Sequence, residues 1–247
     1  MYPPESDTTY RAIREELENG SVAYYVLREL TERIDGREID RIVDVGGDKG
    51  IHLALYRKHI RAKEAISIDV RLPAEEIEGI RYVKSTAEDL LSHIERSSVD
   101  IVLLIEVLEH LKDPDAAISQ IREILKPNGI LVITTPNLSS ALNRLALLVG
   151  LQPLDSEVST KHVFGRPGNR VVGHLHLFTY RSLREFITYY GFEILRNYTL
   201  RMDASLLENH QGWKFRALAV FEALLCRITS RLGSRTVMVA RPKHSNS

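Results

Sequence analysis

The sequence predicts an α/β fold: a doubly wound, mostly parallel, seven-stranded sheet with helices on both faces and an insertion after strand five. Three observations predict it. Short apolar runs rich in Val and Ile alternate with helical segments from Ile39 onward, the order of a sheet wound through crossover helices. The runs are mostly continuous rather than alternating, as in strands buried on both faces. A glycine-rich turn, Asp44-Val-Gly-Gly-Asp-Lys-Gly50, follows the first run and precedes a helix, and open α/β sheets bind ligands beyond such strand ends.

The elements follow in order. Over residues 8–35, Ala12, Ile13 and Leu17, then Val22, Val26, Leu30 and Ile34, recur at helical spacing, with Asn19-Gly20 between two short helices. This stretch forms an N-terminal helical cap, 1–38, ahead of the main domain, 39–247. The strand runs are Ile42–Val45, Ala65–Asp69, Gly79–Val83, Asp100–Leu104 and Ile130–Thr134, with a helix expected over Ile51–Lys58. The segment Asp113–Gly129 reads as the clearest helix. Asp113 caps it, Pro114 fits its first turn, and Pro127-Asn128-Gly129 ends it. After Asn137 the regularity fails. Residues 138–175 hold one apolar helix, Ala141–Leu151, and then an irregular tract with Pro153, Gly165, Pro167, Gly168 and Gly173. A helix over Tyr180–Tyr190, a stop at Gly191 and a strand over Phe192–Tyr198 resume the pattern. A second interruption, 203–232, carries a long amphipathic helix before the last strand, Thr236–Ala240.

Bulk properties bound the function. The 247 residues balance 33 basic against 33 acidic side chains, so no basic excess points to nucleic acid. Cys226 is alone, which excludes a disulfide framework and a cysteine-based zinc site. The first residues are polar, and no run approaches a membrane span. The expectation is a soluble, cytoplasmic protein in which the Asn137 and Asn197 glycosylation triplets have no role.

Within the glycine turn, Gly46, Gly47 and Gly50 allow a ligand to lie directly on backbone N–H groups. The dinucleotide pattern G-x-G-x-x-G does not fit, since position 48 is aspartate and the later spacing differs. Asp69 closes the second strand, 25 residues after Asp44, where a carboxylate accepts two hydrogen bonds from a ribose diol. Ser85-Thr-Ala-Glu-Asp-Leu90 follows the third strand, and Ile105-Glu-Val-Leu-Glu-His110 the fourth.

These pieces, with Asp113–Asn137 and His174–Ile194, resemble the class I S-adenosylmethionine-dependent methyltransferases, in particular the type 11/23 group that includes ubiquinone-biosynthesis O-methyltransferases. The resemblance covers most of residues 40–196 and implies a Rossmann-like domain that transfers a methyl group to a small-molecule acceptor. It places Asp44, Gly46, Gly47, Asp48 and Gly50 around the cofactor's methionine end and Asp69 on its ribose. Ala87 and Glu88 would border the adenine, and Glu106 would lie beneath the methionine. Asp48 stands where the family usually has glycine; its side chain points outward, pairs with the cofactor's ammonium group, or weakens binding. The insertions at about 138–175 and 203–232 would cover the acceptor.

Methyl transfer from a sulfonium is an in-line displacement, so alignment of the reacting atoms supplies most of the acceleration. A base is needed only for an acceptor that must lose a proton. His174 and His176, alternating on one extended segment beside the insertion, are the candidates for substrate contact, with His162 further away. His110, four residues after Glu106, reads as scaffold. No metal set is expected, because no third ligand is evident beside Glu106 and His110. In the amphipathic stretch, Trp213, Ala217, Phe221, Leu224, Ile228 and Leu232 share one face, and residues 201–247 carry eight basic against three acidic side chains. That stripe packs on the domain, on a second copy in a homodimer, or on an anionic membrane suited to a lipid-linked acceptor. Two other functions compete: a non-catalytic methyltransferase-like subunit that binds cofactor weakly, and an NAD-dependent oxidoreductase on the same architecture, which the missing glycine pattern disfavours.

Overall fold

The computed structural model describes residues 21–34, 36–166, 171–201 and 231–243, with 222, 225, 226 and 229. The first of the two N-terminal helices and most of the amphipathic stretch 203–232 lie outside the described residues. The elements are α1 (Val22–Ile34), β1 (Arg41–Val45), α2 (Ile51–Ile60), β2 (Glu64–Asp69), β3 (Ile80–Lys84) and β4 (Val99–Ile105), then a 3₁₀ turn (Leu108–His110), α3 (Pro114–Ile124), β5 (Leu125–Pro136), α4 (Ala141–Leu148), α5 (Tyr180–Tyr189), β6 (Phe192–Leu200) and β7 (Arg235–Pro242).

The strands form one seven-stranded sheet in the order β3-β2-β1-β4-β5-β7-β6. The pairs among β1 to β5 are parallel, and β7 runs antiparallel between β5 and β6. From β1 the chain winds outward through β2 and β3, then returns to the other side of β1 with β4. That reversal leaves a crevice at the carboxyl ends of β1 and β4, the switch point of a doubly wound sheet.

Apolar side chains of each inner strand divide between two cores. Val43, Val45, Val102 and Leu104 face one side, with Ile118, Ile121, Leu183 and Ile187 of α3 and α5. Ile42, Ile101 and Leu103 face the other, with Leu53 and Tyr56 of α2. Continuous apolar runs in the sequence thus reflect burial on both faces, as expected for inner parallel strands. Helix α1 shares the second core through Ala23, Val26 and Leu30, and Tyr56 Oη donates to the Ala23 carbonyl at 3.3 Å.

The clearest helix of the sequence is shorter than its pattern. It ends at Ile124, and Leu125 already pairs with Val99 as the first residue of β5. The proline at 127 is the cause: it has no N–H to donate and drives Lys126 out of helical geometry. Pairing resumes in register at Ile101 and Ile130, so residues 126–129 bulge from the ladder. From the bulge, Lys126 Nζ reaches Asp40 and the buried Asp100, each at 2.9 Å. At the other end of α3, Asp113 Oδ1 accepts from Ala116 N at 2.9 Å. Asp113→Ala is expected to cost about 1 kcal/mol and to lower Tm by about 2–4 °C, read by calorimetry. Helix α4 also stops early, at Leu148, where Val149 caps it and Gly150 turns with φ 77°. Residues 171–177, expected to be extended, form no strand, although Asn137 and Phe178 make an isolated bridge.

Candidate functional site

The glycine turn joins β1 to α2 at the switch point. Gly46 and Gly50 take φ of 77° and 75°, a left-handed conformation that a side chain disfavours. The protein itself also crowds these positions. A Cβ on Gly46 would stand 2.3 Å from Val107 Cγ2, and one on Gly47 would stand 2.5 Å from Ser67 Oγ. The glycines therefore serve close packing of the turn on β2 and on the segment after β4, besides any approach of a ligand. Asp48 has φ 45°, which explains the usual glycine there; aspartate is among the residues that tolerate it. Its side chain is exposed.

Asp69 ends β2 facing this turn. Its Oδ2 accepts from Asp48 N at 3.2 Å and its Oδ1 from Arg71 N at 2.9 Å. A carboxylate offers about four acceptor positions, so two hydroxyl donors still find lone pairs there. Asp44, buried beneath the turn, has no such solvation. Burial pushes its carboxyl up to about 7, and the neighbouring Asp69 charge adds to the effect. Ser67 Oγ, beside Gly47, is buried without a hydrogen-bond partner. The N–H groups of Gly46 and Gly50 are taken by the Ile68 and Gly47 carbonyls, so the turn offers a ligand close approach more than free donors. Its two carboxyl groups and the unpartnered Ser67 hydroxyl suit an adenosyl amino acid: hydroxyls for Asp69, cationic groups for the buried carboxylate.

Beyond β3, Ala87 is buried and Glu88 half-buried. The Glu88 backbone is fixed by Gln120, whose amide donates to its carbonyl, while Glu88 Oε1 lies 3.4 Å from Asp113 N. Glu106 leaves β4 with φ 54°. Its carboxylate is held on both oxygens, by Thr134 Oγ1 at 2.8 Å and by Arg235 Nε at 2.9 Å. Arg235 lies 3.8 Å from Asp155 of the post-β5 segment as well.

One turn on, Glu109 is 1% exposed. Its Oε2 accepts from Thr135 Oγ1 at 2.9 Å, and its Oε1 has no partner. Burial, reinforced by Glu106, pushes its carboxyl up to about 8. The carbonyl of Glu109 accepts from Leu175 N at 2.7 Å and His176 N at 3.0 Å, pinning the segment after the insertion to the end of β4. In consequence the His174 ring sits beside that of His110, with centroids 4.8 Å apart. The sequence reading singled out His174 and read His110 as scaffold; the structure brings their rings together, and it adds Glu109, Arg235 and Thr135, which the sequence reading did not single out. The signal for Glu109 was present, a glutamate directly before His110 in a turn leaving a buried strand. Arg235 had none, because only the sheet order brings β7 beside β5. His176 lies on the same segment, outside the His110–His174 ring pair.

The methyltransferase domain model matches residues 15–197. A ubiquinone biosynthesis O-methyltransferase of Cereibacter sphaeroides is 48% identical over 58 residues, 24% of this chain and 23% of that protein. One of Rickettsia canadensis is 27% identical over 132 residues, 51% of this chain and 55% of that protein. The chain thus matches about half or less of the length of these relatives. An S-adenosylmethionine-dependent methyltransferase from Archaeoglobus fulgidus superposes with a TM-score of 0.56 at 18% identity, covering 93% of this chain and 99% of the other. With that fold, and with a domain model spanning most of its length, the chain belongs to the methyltransferase domain family.

Proposed function

We propose that this protein transfers the methyl group of S-adenosylmethionine to an oxygen of a small-molecule acceptor. The observation that carries the reading is the pairing of the glycine turn with Asp69 beside the switch point, in a chain of the methyltransferase family. When bound, the cofactor supplies the electrophilic methyl. The protein's own residues bind and orient. The glycine turn lets the cofactor lie close against its backbone at Gly46 and Gly47, and Asp69 accepts from the ribose. Asp44 and Glu106 line the methionine side, and Ala87 and Glu88 border the adenine. Glu106 does so as half of an ion pair with Arg235, which holds its carboxylate in place and tempers its charge.

Oxygen is favoured over nitrogen as the acceptor atom because the matching relatives are named O-methyltransferases. Residues 138–175 cover the acceptor. Their attachment supports this role: Asp155 meets Arg235, and the Glu157 carboxylate accepts from Val172 N at 2.6 Å and Gly173 N at 2.7 Å. His174 is thereby held at the crevice as a substrate contact, with His176 next to it. The amphipathic stretch 213–232, as a dimer or membrane contact, lies largely outside the described residues, and no helix among those described is long and apolar enough to cross a membrane.

Isothermal titration with S-adenosylmethionine, S-adenosylhomocysteine and NAD tests the cofactor. Micromolar binding of the first two and none of the third is expected. NAD binding alone, or no binding of any, overturns the reading. A chain that binds S-adenosylmethionine but methylates no hydroxyl acceptor in a panel is instead the non-catalytic subunit.

A further inference from the structure

We propose that Arg235 is a positioning residue that couples the charge on the methyl donor to the insertion over the acceptor. Its guanidinium is shared between Glu106 on the cofactor side and Asp155 on the insertion, and the share shifts with the donor's sulfonium charge. The inference rests on the methyl-transfer reading and goes beyond it, since that reading needs no such bridge.

Strand β7 supplies the bridge. It runs antiparallel beside β5, with Arg235 opposite Pro136, at the end of the sheet where β4 also stops. Arg235 Nε lies 2.9 Å from Glu106 Oε2, and its Nη1 lies 3.8 Å from Asp155 Oδ1. The second distance exceeds the roughly 2.7–3.2 Å of a made hydrogen bond. Arg235 thus sits on Glu106, and its reach to Asp155 is slack. The side chains of Arg235, Glu106 and Asp155 are 31%, 29% and 23% exposed, so solvent leaves the guanidinium room to shift while screening its charge only in part. Arginine suits the part, because its planar fork of donors serves two carboxylates at once and never loses its charge.

Asp155 is a handle on the whole insertion. Its carbonyl accepts from His174 Nδ1 at 2.8 Å. Two residues on, the Glu157 carboxylate accepts from Val172 N and Gly173 N and pairs with Arg166 at 3.0 Å, in a contact largely closed to solvent. Closing the Asp155 pair from 3.8 Å to the 2.9 Å of the Glu106 pair therefore draws the His174 segment and its Glu157 clamp towards the sheet together.

Charge decides which carboxylate holds the arginine. Methyl transfer breaks the S–CH3 bond and forms the O–CH3 bond. The bonding pair stays on sulfur, which becomes a neutral thioether, and the hydroxyl proton of the acceptor takes the positive charge to solvent. Before transfer, a cation on the methionine side competes for the Glu106 carboxylate and repels the guanidinium. Thr134 keeps Glu106 Oε1 in place, so the arginine moves rather than the carboxylate. Glu109 is engaged with Thr135, which leaves Asp155 to receive the arginine. The insertion is drawn in while the donor is charged and relaxes once sulfur is neutral, so the reaction itself releases the cover over its product.

The test uses the full-length protein without acceptor. Hydrogen exchange is read by mass spectrometry with S-adenosylmethionine, with sinefungin, whose ammonium group replaces the methylsulfonium, and with S-adenosylhomocysteine, each saturating by titration calorimetry. Amides of residues 155–166 and 171–176 should exchange about tenfold more slowly with either cationic compound than with S-adenosylhomocysteine. Linkage makes the effect reciprocal: Asp155→Asn should erase that difference and weaken S-adenosylmethionine binding about tenfold relative to S-adenosylhomocysteine. Arg235→Gln should also erase the exchange difference. A uniform loss of stability cancels in both ratios, so a purely structural role leaves them unmoved. Equal exchange with charged and neutral compounds bound overturns the proposal and spares the methyl-transfer reading, as does a difference that survives in either folded variant. Binding of none of the three compounds overturns that reading and this inference with it.

Discussion

Asp69→Ala is expected to weaken S-adenosylmethionine binding by about 100-fold or more while leaving the fold intact. The carboxylate closes β2 at the crevice and offers two charge-assisted acceptor positions beyond those already taken by Asp48 N and Arg71 N. Each such hydrogen bond to a ribose hydroxyl contributes about 1.5–3 kcal/mol, and about 1.4 kcal/mol is a factor of ten. The side chain is not a member of either core, so its truncation opens no cavity. Its local cost is the freeing of two N–H groups near solvent. Titration calorimetry gives the affinity, and a denaturation curve gives the stability. Asp69→Asn separates charge from shape, because the amide retains one oxygen to accept but lacks the charge, and should fall between the native chain and the alanine variant. Native-like affinity in the alanine variant would show that the ribose lies elsewhere.

That prediction rests on residues the sequence already marks, and the contrast with those it does not mark is physical. Inner strands announce themselves because burial on both faces forces continuous apolar runs such as Ile101–Leu104. The turn after β1 announces itself because φ near 77° and the approach of Val107 leave room only for glycine at 46. Both are local consequences of a general architecture. The end of α3 is a conflict between signals: the apolar spacing of Ile118, Ile121 and Leu125 continues past Ile124, while the geometry imposed by Pro127 does not. The proline prevails because Leu125 remains buried, 2% exposed, as a strand residue paired with Val99. Little apolar burial is lost in leaving the helix.

The cluster around His174 is of another kind. Glu109 and His174 are 65 residues apart, and nothing in the spacing of either sets their meeting. It follows from two backbone hydrogen bonds from Leu175 and His176 to Glu109, and from Glu157 gripping Val172 and Gly173. An irregular segment carries no period from which such contacts could be read. Arg235 reaches Glu106 for a similar reason. The last strand enters the sheet antiparallel between β5 and β6, which brings Arg235 opposite Pro136 and near the end of β4. Edge polarity and strand order, rather than residue pattern, decide that contact.

The buried carboxylate under the turn gives the second large effect, a stability that depends on pH through one residue. The Asp44 carboxyl has a folded-state pKa of about 7 against an ordinary 3.8, chiefly through burial and then through Asp69. Raised in this way, it favours the folded state fully below about pH 4, and that contribution is lost as pH rises through 7. The interval corresponds to about 4 kcal/mol. Asp44→Asn keeps the shape of the group but cannot ionise. Urea denaturation between pH 5 and 9 should show the native chain losing stability relative to the variant, with the gap widening up to about pH 7 and level above about pH 8. Glu109 also titrates in this range, but it is present in both chains and drops out of the difference. Parallel profiles would show that Asp44 is solvated or paired. The same residue then links stability to ligand: a bound sulfonium amino acid brings positive charge to the ionised carboxylate and relieves the destabilisation. S-adenosylmethionine should therefore raise the Tm of the native chain more at pH 8 than at pH 6. In Asp44→Asn that increment should be nearly independent of pH. A turn that buries an unpaired acid at some cost to the empty protein is thereby tuned to a cationic ligand.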